Sequence, residues 1–213
     1  MAEADDRRSN RRGLATRENM LGAAIRALAS GDPGSVSASR IAKDIGATWG
    51  AVKYQFGDVD GFWAAVLHHT AELRGDLPAR TDRAAPLRER VAAIIDTLYD
   101  GLTCAQSRAI ENLRAALPSD PAELSRLYPR TAAELSSWGH AWIASCQKAF
   151  ADLGVDPDRV AEVASFIPGA MRGITSERQL GSYYDLDIAR RGLTNAIVAY
   201  LDPSSTSTPE QRF

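Results

Sequence analysis

Alanine fills 36 of the 213 positions, and nowhere does an alternating run of Val, Ile and Thr last long enough to build a strand. Alanine loses no side-chain freedom in a helix, so a chain of this kind is driven toward helices along its whole length. The fold class is therefore all-α, with helices that start and stop at readable signals. Thr16 caps a helix over 17–30 whose apolar face is Met20, Leu21, Ala24, Ile25 and Leu28, and Gly31-Asp32-Pro33-Gly34 stops it. Ser37 caps a short second helix ending at Ile45-Gly46, and Thr48 caps a third that runs to Phe56 before Gly57-Asp58. A fourth carries Phe62, Trp63, Val66 and Leu67. Beyond a loose stretch, RGDLPARTDRAA, the pattern predicts helices over 86–102, 105–117, 122–153, 158–180 and 185–201. Asp120-Pro121 and Asp156-Pro157 each pair an N-cap with a proline at the first helical position, where a missing N–H is harmless. The end, PSSTSTPEQRF, reads as a tail.

A composition of 45% hydrophobic and 24% charged residues excludes disordered, fibrous and collagen-like chains. No apolar run approaches the roughly 18 residues of a membrane span. The start, MAEADDRRSNRRGLATREN, has no apolar stretch behind its charges, as a secretory signal requires. The expectation is a cytoplasmic protein with no membrane partner. A chain of this size builds a core without staples, so Cys104 and Cys146 are expected as small buried apolar residues. The net charge of −2 hides an asymmetry: residues 7 to 57 hold nine basic residues against three acidic ones, a local +6 that leaves −8 for the rest. A small basic module joined to a larger acidic one points to nucleic-acid affinity at one end.

The most informative segment is SVSASRIAKDIGATWGAVKYQF, residues 35 to 56. Two short helices that cross steeply need a small residue where they approach, a glycine where the turn needs positive φ, and apolar residues to pin the pair. Ala42, Gly46, and Ile41, Ile45, Val52 and Phe56 meet those needs. This is a helix-turn-helix pattern, in which the second helix lies in the major groove with its N-terminal residues on base edges. The candidate DNA-binding residues are Ser37, Arg40, Thr48, Trp49, Gly50, Lys53 and Tyr54. A helical hairpin inside an ordinary core is the competing arrangement, and it would bury Trp49 and Tyr54.

From TRENMLGAAIRALAS through SASRIAKDIGATWGAVKYQFGDVDGFWAAVL, residues 16 to 67, the chain resembles the DNA-binding domain of TetR-family transcriptional regulators. The resemblance implies a homodimeric bacterial regulator, usually a repressor, released from a palindromic DNA operator by a small-molecule effector. It also implies that the all-helical remainder binds the effector and dimerises. The expected organisation is a disordered basic arm at 1–15, a helix-turn-helix domain at 16–62, an effector-binding and dimerisation domain at 63–202, and a disordered tail at 203–213. On the same resemblance Thr48 is a cap that touches the DNA backbone, and Gly50, Ala51 and Tyr54 meet the groove. Lys53 departs from the family's usual aromatic, and Val59 stands where a lysine near the start of the fourth helix is usual. Lys53 still neutralises a phosphate, as a mobile point charge. Asp58 and Asp60 are unfavourable beside DNA, although Asp58 is well placed to cap a helix. Arg7, Arg8, Arg11 and Arg12 form an arm able to reach an adjacent minor groove.

One such domain buries too little surface for operator-grade affinity, so two copies with recognition helices roughly 34 Å apart are expected. The last two helices are the candidate homodimer interface. Ala189, Gly192, Ala196 and Ala199 fall on one face of the final helix, with Ala161, Ala164 and Gly173 on its neighbour. Simple helix propensity explains such a stripe as well. For the effector, Trp138 and Trp142 stand one turn apart, Pro168-Gly169 is expected to bend the next helix, and Tyr128, His140 and Arg172 are candidate polar groups. Paired tryptophans also fit ordinary core packing. The chain carries no nucleophile elbow, no zinc-protease motif and no phosphate-binding loop. His68, His69 and His140 do not converge on a helix face. Neither an enzyme, a metal nor a cofactor is expected. The alternative function is an all-helical small-molecule- or partner-binding protein whose helix-turn-helix no longer binds DNA.

Overall fold

Alanine-driven helicity is what the chain adopts. The computed structural model describes residues 2–31, 36–76, 78–102, 104–179 and 185–202. Among these are ten α-helices and no strand: α1 (Ala2–Ser30), α2 (Ala38–Asp44), α3 (Trp49–Phe56), α4 (Val59–Arg74), α5 (Leu87–Gly101), α6 (Ala105–Ala116), α7 (Pro121–Leu127), α8 (Pro129–Phe150), α9 (Pro157–Gln179) and α10 (Leu186–Leu201). A 3-10 turn spans Pro78–Arg80. Asp120 caps α7 by accepting from the Glu123 N–H at 2.7 Å, and Asp156 accepts from the Asp158 N–H at 2.9 Å at the start of α9. Both cap-plus-proline starts are thus in place.

Two boundaries differ from the sequence expectation. α1 begins at Ala2 rather than after Thr16, so the backbone of the basic arm is helical. The helix expected over 122–153 is two helices. Pro129 disfavours helical geometry in the residue before it, and Tyr128, at φ −136 and ψ 63, ends α7 there. α9 runs through Pro168 without interruption. Asp32-Pro33-Gly34 and the expected tail at 203–213 lie outside the described residues.

The chain divides into two compact units that do not follow sequence order. One comprises Met1–Arg74 with Thr103–Ser137, the other Gly75–Leu102 with Trp138–Phe213. The first therefore adds α6, α7 and the start of α8 to the helix-turn-helix. α6 earns that place through Asn112, whose side-chain amide donates to Leu28 O at 2.8 Å and Gly31 O at 3.0 Å and so satisfies carbonyls at the end of α1. Leu21, Ala24, Ile25 and Leu28 of α1 are buried as expected, with Ala109, Ile110 and Leu113 of α6. Cys104 departs from expectation: it is half-buried, and its sulfur caps α6 by accepting from the Ser107 N–H at 3.4 Å.

The second unit closes around Val91, Ile94 and Ile95 of α5, Cys146 and Phe150 of α8, Val163 and Ile167 of α9, and Ile197 of α10. Burial, with Asp76 nearby, pushes the Cys146 thiol up to about 12, so it packs as an uncharged group. The interior leaves a cavity of about 10 Å³, roughly one water in size. One charged side chain lies within this apolar unit. Arg90, 1% exposed, donates to Ala85 O at 2.8 Å and Ala149 O at 2.7 Å, and pairs with both oxygens of Asp152 at 2.6 and 2.7 Å. It also donates to Arg83 O. A single guanidinium thus gathers the chain before α5 and the chain after α8, which is tolerable for a buried charge because every donor direction is used.

Removing Arg90 takes the donor from the carbonyls of Arg83, Ala85 and Ala149, so Arg90→Met is expected to lower unfolding stability by about 3 kcal/mol. The Arg90 bond holds the Asp152 carboxyl at about 2 against its ordinary 3.8. Its stabilisation is complete above the ordinary value and is lost as pH falls through the lowered one. Denaturant unfolding at neutral pH and at about pH 3 should show a gap between wild type and Arg90→Met that narrows with acid. An equal gap at both pH values would contradict this account.

Candidate nucleic-acid interface

The turn between α2 and α3 follows from local chemistry. Ser37 caps α2 by accepting from the Arg40 N–H at 3.2 Å. At the other end of α2 the Gly46 N–H donates to Lys43 O at 3.0 Å and the Ala47 N–H to Ala42 O at 2.9 Å. This is the paired bonding of a Schellman motif, which needs a left-handed residue at Gly46, and φ there is 72. Thr48 then caps α3 by accepting from the Ala51 N–H at 3.1 Å. Ala42, Ile41, Val52 and Phe56 are buried and Ile45 is half-buried, so the expected pins hold the pair together.

The outward face is what separates a helix-turn-helix from a core hairpin. Tyr54 is 87% exposed. Ser37, Arg40, Thr48, Gly50 and Lys53 are exposed too, and Trp49 is half-buried. The structure thus brings all seven candidate residues into one motif and leaves six of them accessible, whereas a core hairpin would bury Tyr54.

Residues that the sequence reading missed hold this motif in place. Arg17 of α1 lays its guanidinium over the Phe56 ring, 4.4 Å from the centroid, and donates to Gln55 O at 2.7 Å. It thereby satisfies a carbonyl in the last turn of α3. Phe56 packs on Phe62 with centroids 5.2 Å apart, and Phe62 on Trp63 at 5.0 Å, which fixes α3 to α4. At the junction Gly57 has φ 86, and Asp58 caps α4 by accepting from the Gly61 N–H at 2.8 Å. Asp60 is 7% exposed and receives the Arg130 N–H and the Thr131 N–H, each at 2.9 Å. Burial alone would push the Asp60 carboxyl up, but the bonds from Arg130 and Thr131 together hold it below the usual carboxylate range. Arg130 also pairs with Asp58. These partners are about seventy residues away in sequence, so only the local cap at Asp58 had a readable signal.

No protein-family model matches the sequence, and no curated protein matches it. Solved structures do match. A transcriptional regulator from Rhodococcus sp. RHA1 superposes with a TM-score of 0.67 at 19% identity, over 87% of this chain and 97% of that one. A TetR-family transcriptional regulator from Streptomyces coelicolor gives 0.60 at 18% identity, over 90% and 85%. NalD, the secondary repressor of the MexAB-OprM multidrug efflux pump in Pseudomonas aeruginosa, gives 0.58 at 19% identity, over 89% and 98%. The chain has the TetR-regulator fold.

Within this TetR-regulator fold the five effector candidates scatter. Tyr128 belongs to the first unit, half-buried at the end of α7. Trp142 is half-buried in the second unit, packs against its core and donates its indole N–H to Ala164 O at 2.9 Å. Trp138, one turn earlier, is half-buried, and its indole nitrogen is enclosed without a hydrogen-bond partner. His140 and Arg172 are exposed. None of the five lines the small cavity, whose walls include Val91, Ile95, Cys146 and Ile197. No helix among the described residues is long and apolar enough to cross a membrane, and no cluster of metal-ligating residues occurs among them.

Gly61 is where the junction leaves no room. A Cβ there would lie 2.6 Å from Arg130 Nη1 and collide with the Phe56 carbonyl oxygen. Gly61→Ala is therefore expected to cost about 3 kcal/mol, measured by denaturant unfolding, because backbone cannot move aside as a flexible side chain can. A cost near zero would mean that α3 and α4 are not held as described.

Proposed function

We propose that this protein is a sequence-specific DNA-binding transcriptional regulator, a repressor released from a palindromic operator by a small molecule. The observation that carries the proposal is the surface of α3. A tyrosine 87% exposed stands beside an exposed lysine, glycine and threonine on a helix capped at its start, so these side chains are available to a partner. The same set suits a major groove: Gly50 permits close approach, Tyr54 offers a ring and a hydroxyl, Lys53 and Arg40 meet phosphates, and Ser37 and Thr48 sit at helix starts facing the backbone. Trp49, half-buried, sets the near edge of that surface. The local excess of positive charge over residues 7 to 57 supports the reading, and so does the likeness to NalD, a repressor. Regulation rather than catalysis is the proposed role, in the cytoplasm, where the operator is.

Palindromic binding calls for a homodimer, and the last two helices are its proposed seam. α10 turns Thr194, Ile197 and Leu201 inward, while Ala189, Gly192, Ala196 and Ala199 are exposed. Ile188, Tyr200 and, on α9, Phe166 are 60%, 41% and 47% exposed. An apolar surface of this kind with small residues along it favours close helix packing across a two-fold axis. Ala164, 1% exposed, serves the core instead. The effector is proposed to enter the second unit near Trp138 and Trp142, with His140 and Arg172 of that unit as candidate polar contacts.

The test is fluorescence anisotropy with duplex DNA selected from random fragments, measured against scrambled competitor over a range of salt. Wild type should bind saturably, with log affinity falling linearly against log salt. Lys53→Ala with Tyr54→Ala should weaken binding by roughly 30-fold or more, at about 1–3 kcal/mol for a base contact and a lower salt slope for the lysine. Binding equal to competitor would reject the proposal. Ala196→Glu should convert a dimer to a monomer in sedimentation, and an unchanged dimer would place the seam elsewhere.

A further inference from the structure

A groove of about 860 Å³ lies between α1 and α2, wholly within the first unit. Much of its lining is apolar. Ala23 and Ala27 of α1, Val36 ahead of α2 and Ile45 behind it are each half-buried, so all four still present carbon to the groove. Two arginines complete it. Arg26 of α1 and Arg40 of α2 are exposed lining residues, and among the described residues neither has an ion pair or a side-chain hydrogen bond. The volume falls within the roughly 300–1,000 Å³ of small-molecule pockets, whose usual lining is apolar with a few polar groups.

Those polar groups select the occupant. Guanidinium groups from two different helices offer planar forks of donors and no acceptor. A carboxylate meets such a fork best, because its two oxygens accept side by side. Ser30, which also lines the groove, adds no free proton, since its hydroxyl already donates to Ala27 O at 3.1 Å. Asp44 stands one turn beyond Arg40 on α2 and lines the groove as well. The spacing of four permits an ion pair between them, yet none forms. The Asp44 charge therefore repels a second anionic group, and a single carboxylate on an apolar body suits the groove better than a polyanion.

We propose that the groove between α1 and α2 binds a small organic carboxylate with an apolar body, held by Arg26 and Arg40. The site shares no residue with the effector candidates. One consequence rests on the DNA-binding reading above: Arg40 is also a proposed phosphate contact, so a carboxylate held there competes with the duplex for it.

The probe is pyrenebutyrate, which joins a carboxylate to a large apolar ring system and reports binding through its own fluorescence. Pyrenebutanol has the same body without the charge. The full chain should bind pyrenebutyrate about 10-fold or more tighter than pyrenebutanol, as charge-assisted bonds require. Arg26→Gln should remove that preference. Ala23→Glu should remove it too, by placing a carboxylate of the chain itself one turn from Arg26. Arg26 is not among the proposed DNA contacts, so Arg26→Gln should keep wild-type duplex affinity and salt slope. Pyrenebutyrate should displace the selected duplex from wild type but not from Arg26→Gln. If Ala23→Glu lowers the unfolding midpoint, the exposed Arg26 decides. Equal binding of the two pyrenes, or an undiminished preference in Arg26→Gln, overturns the site. Loss of duplex affinity and salt slope in Arg26→Gln with pyrenebutyrate binding intact assigns Arg26 to the DNA backbone and overturns the site as well. Displacement from Arg26→Gln as readily as from wild type overturns the competition. A preference for pyrenebutyrate in a chain that binds no duplex overturns the DNA-binding reading and leaves the site standing.

Discussion

Helices of seven and eight residues do not persist by themselves in water, because nucleation costs more than so few backbone bonds return. α2 and α3 are of that length, so the surface they present depends on burial of their inner faces. Phe56 is the centre of that burial. Its ring receives the Arg17 guanidinium of α1 on one side and packs against Phe62 of α4. Its carbonyl is the atom that forbids a side chain at Gly61. A single residue thus sets the height of α3 over α1 and its spacing from α4, while Thr48 and Gly46 set where the helix starts and how it leaves α2. The freedom that remains lies in the outward side chains, which is the freedom a DNA-reading surface needs.

The parts of the fold legible in the sequence were those whose causes are local. Ser37, Thr48 and Asp120 cap the helix directly after them, and Gly46 has the left-handed backbone that its turn requires. Local causes were also where one boundary was lost: Tyr128-Pro129 carried a stop signal, but the alanine-rich periodicity ran across it. The rest was invisible for a physical reason. Arg17 meets Gln55 across 38 residues, Arg90 meets Asp152 across 62, and Asp60 meets Thr131 across 71. Nothing in the neighbourhood of an arginine or aspartate tells whether it faces water or a carbonyl brought in by another helix. The same limit applies to the effector candidates, since indoles at helical spacing look alike whether they close a core or line a site. Among the effector candidates Trp138 stands apart, its enclosed indole N–H without a partner.

The acidic residues beside the recognition helix show how structure can reverse a sequence argument. Asp58 and Asp60 next to Lys53 and Val59 look like a defect on a DNA-facing surface, since like charges repel phosphate. Yet Asp60 is buried and fully bonded, and Asp58 shares Arg130 with it. Much of their charge is offset locally rather than projected outward. The same arrangement accounts for Val59. The start of a sixteen-residue helix ordinarily attracts an anion through its free N–H groups, but in α4 the Gly61 N–H is already occupied by Asp58. This end of α4 is committed to holding α3 and α8, so a lysine there would compete with Arg130 for the same carboxylates. On the proposed DNA-binding reading, phosphate contacts would fall to Arg40, Lys53 and the helix starts at Ser37 and Thr48, and the α4 terminus would keep those groups in place.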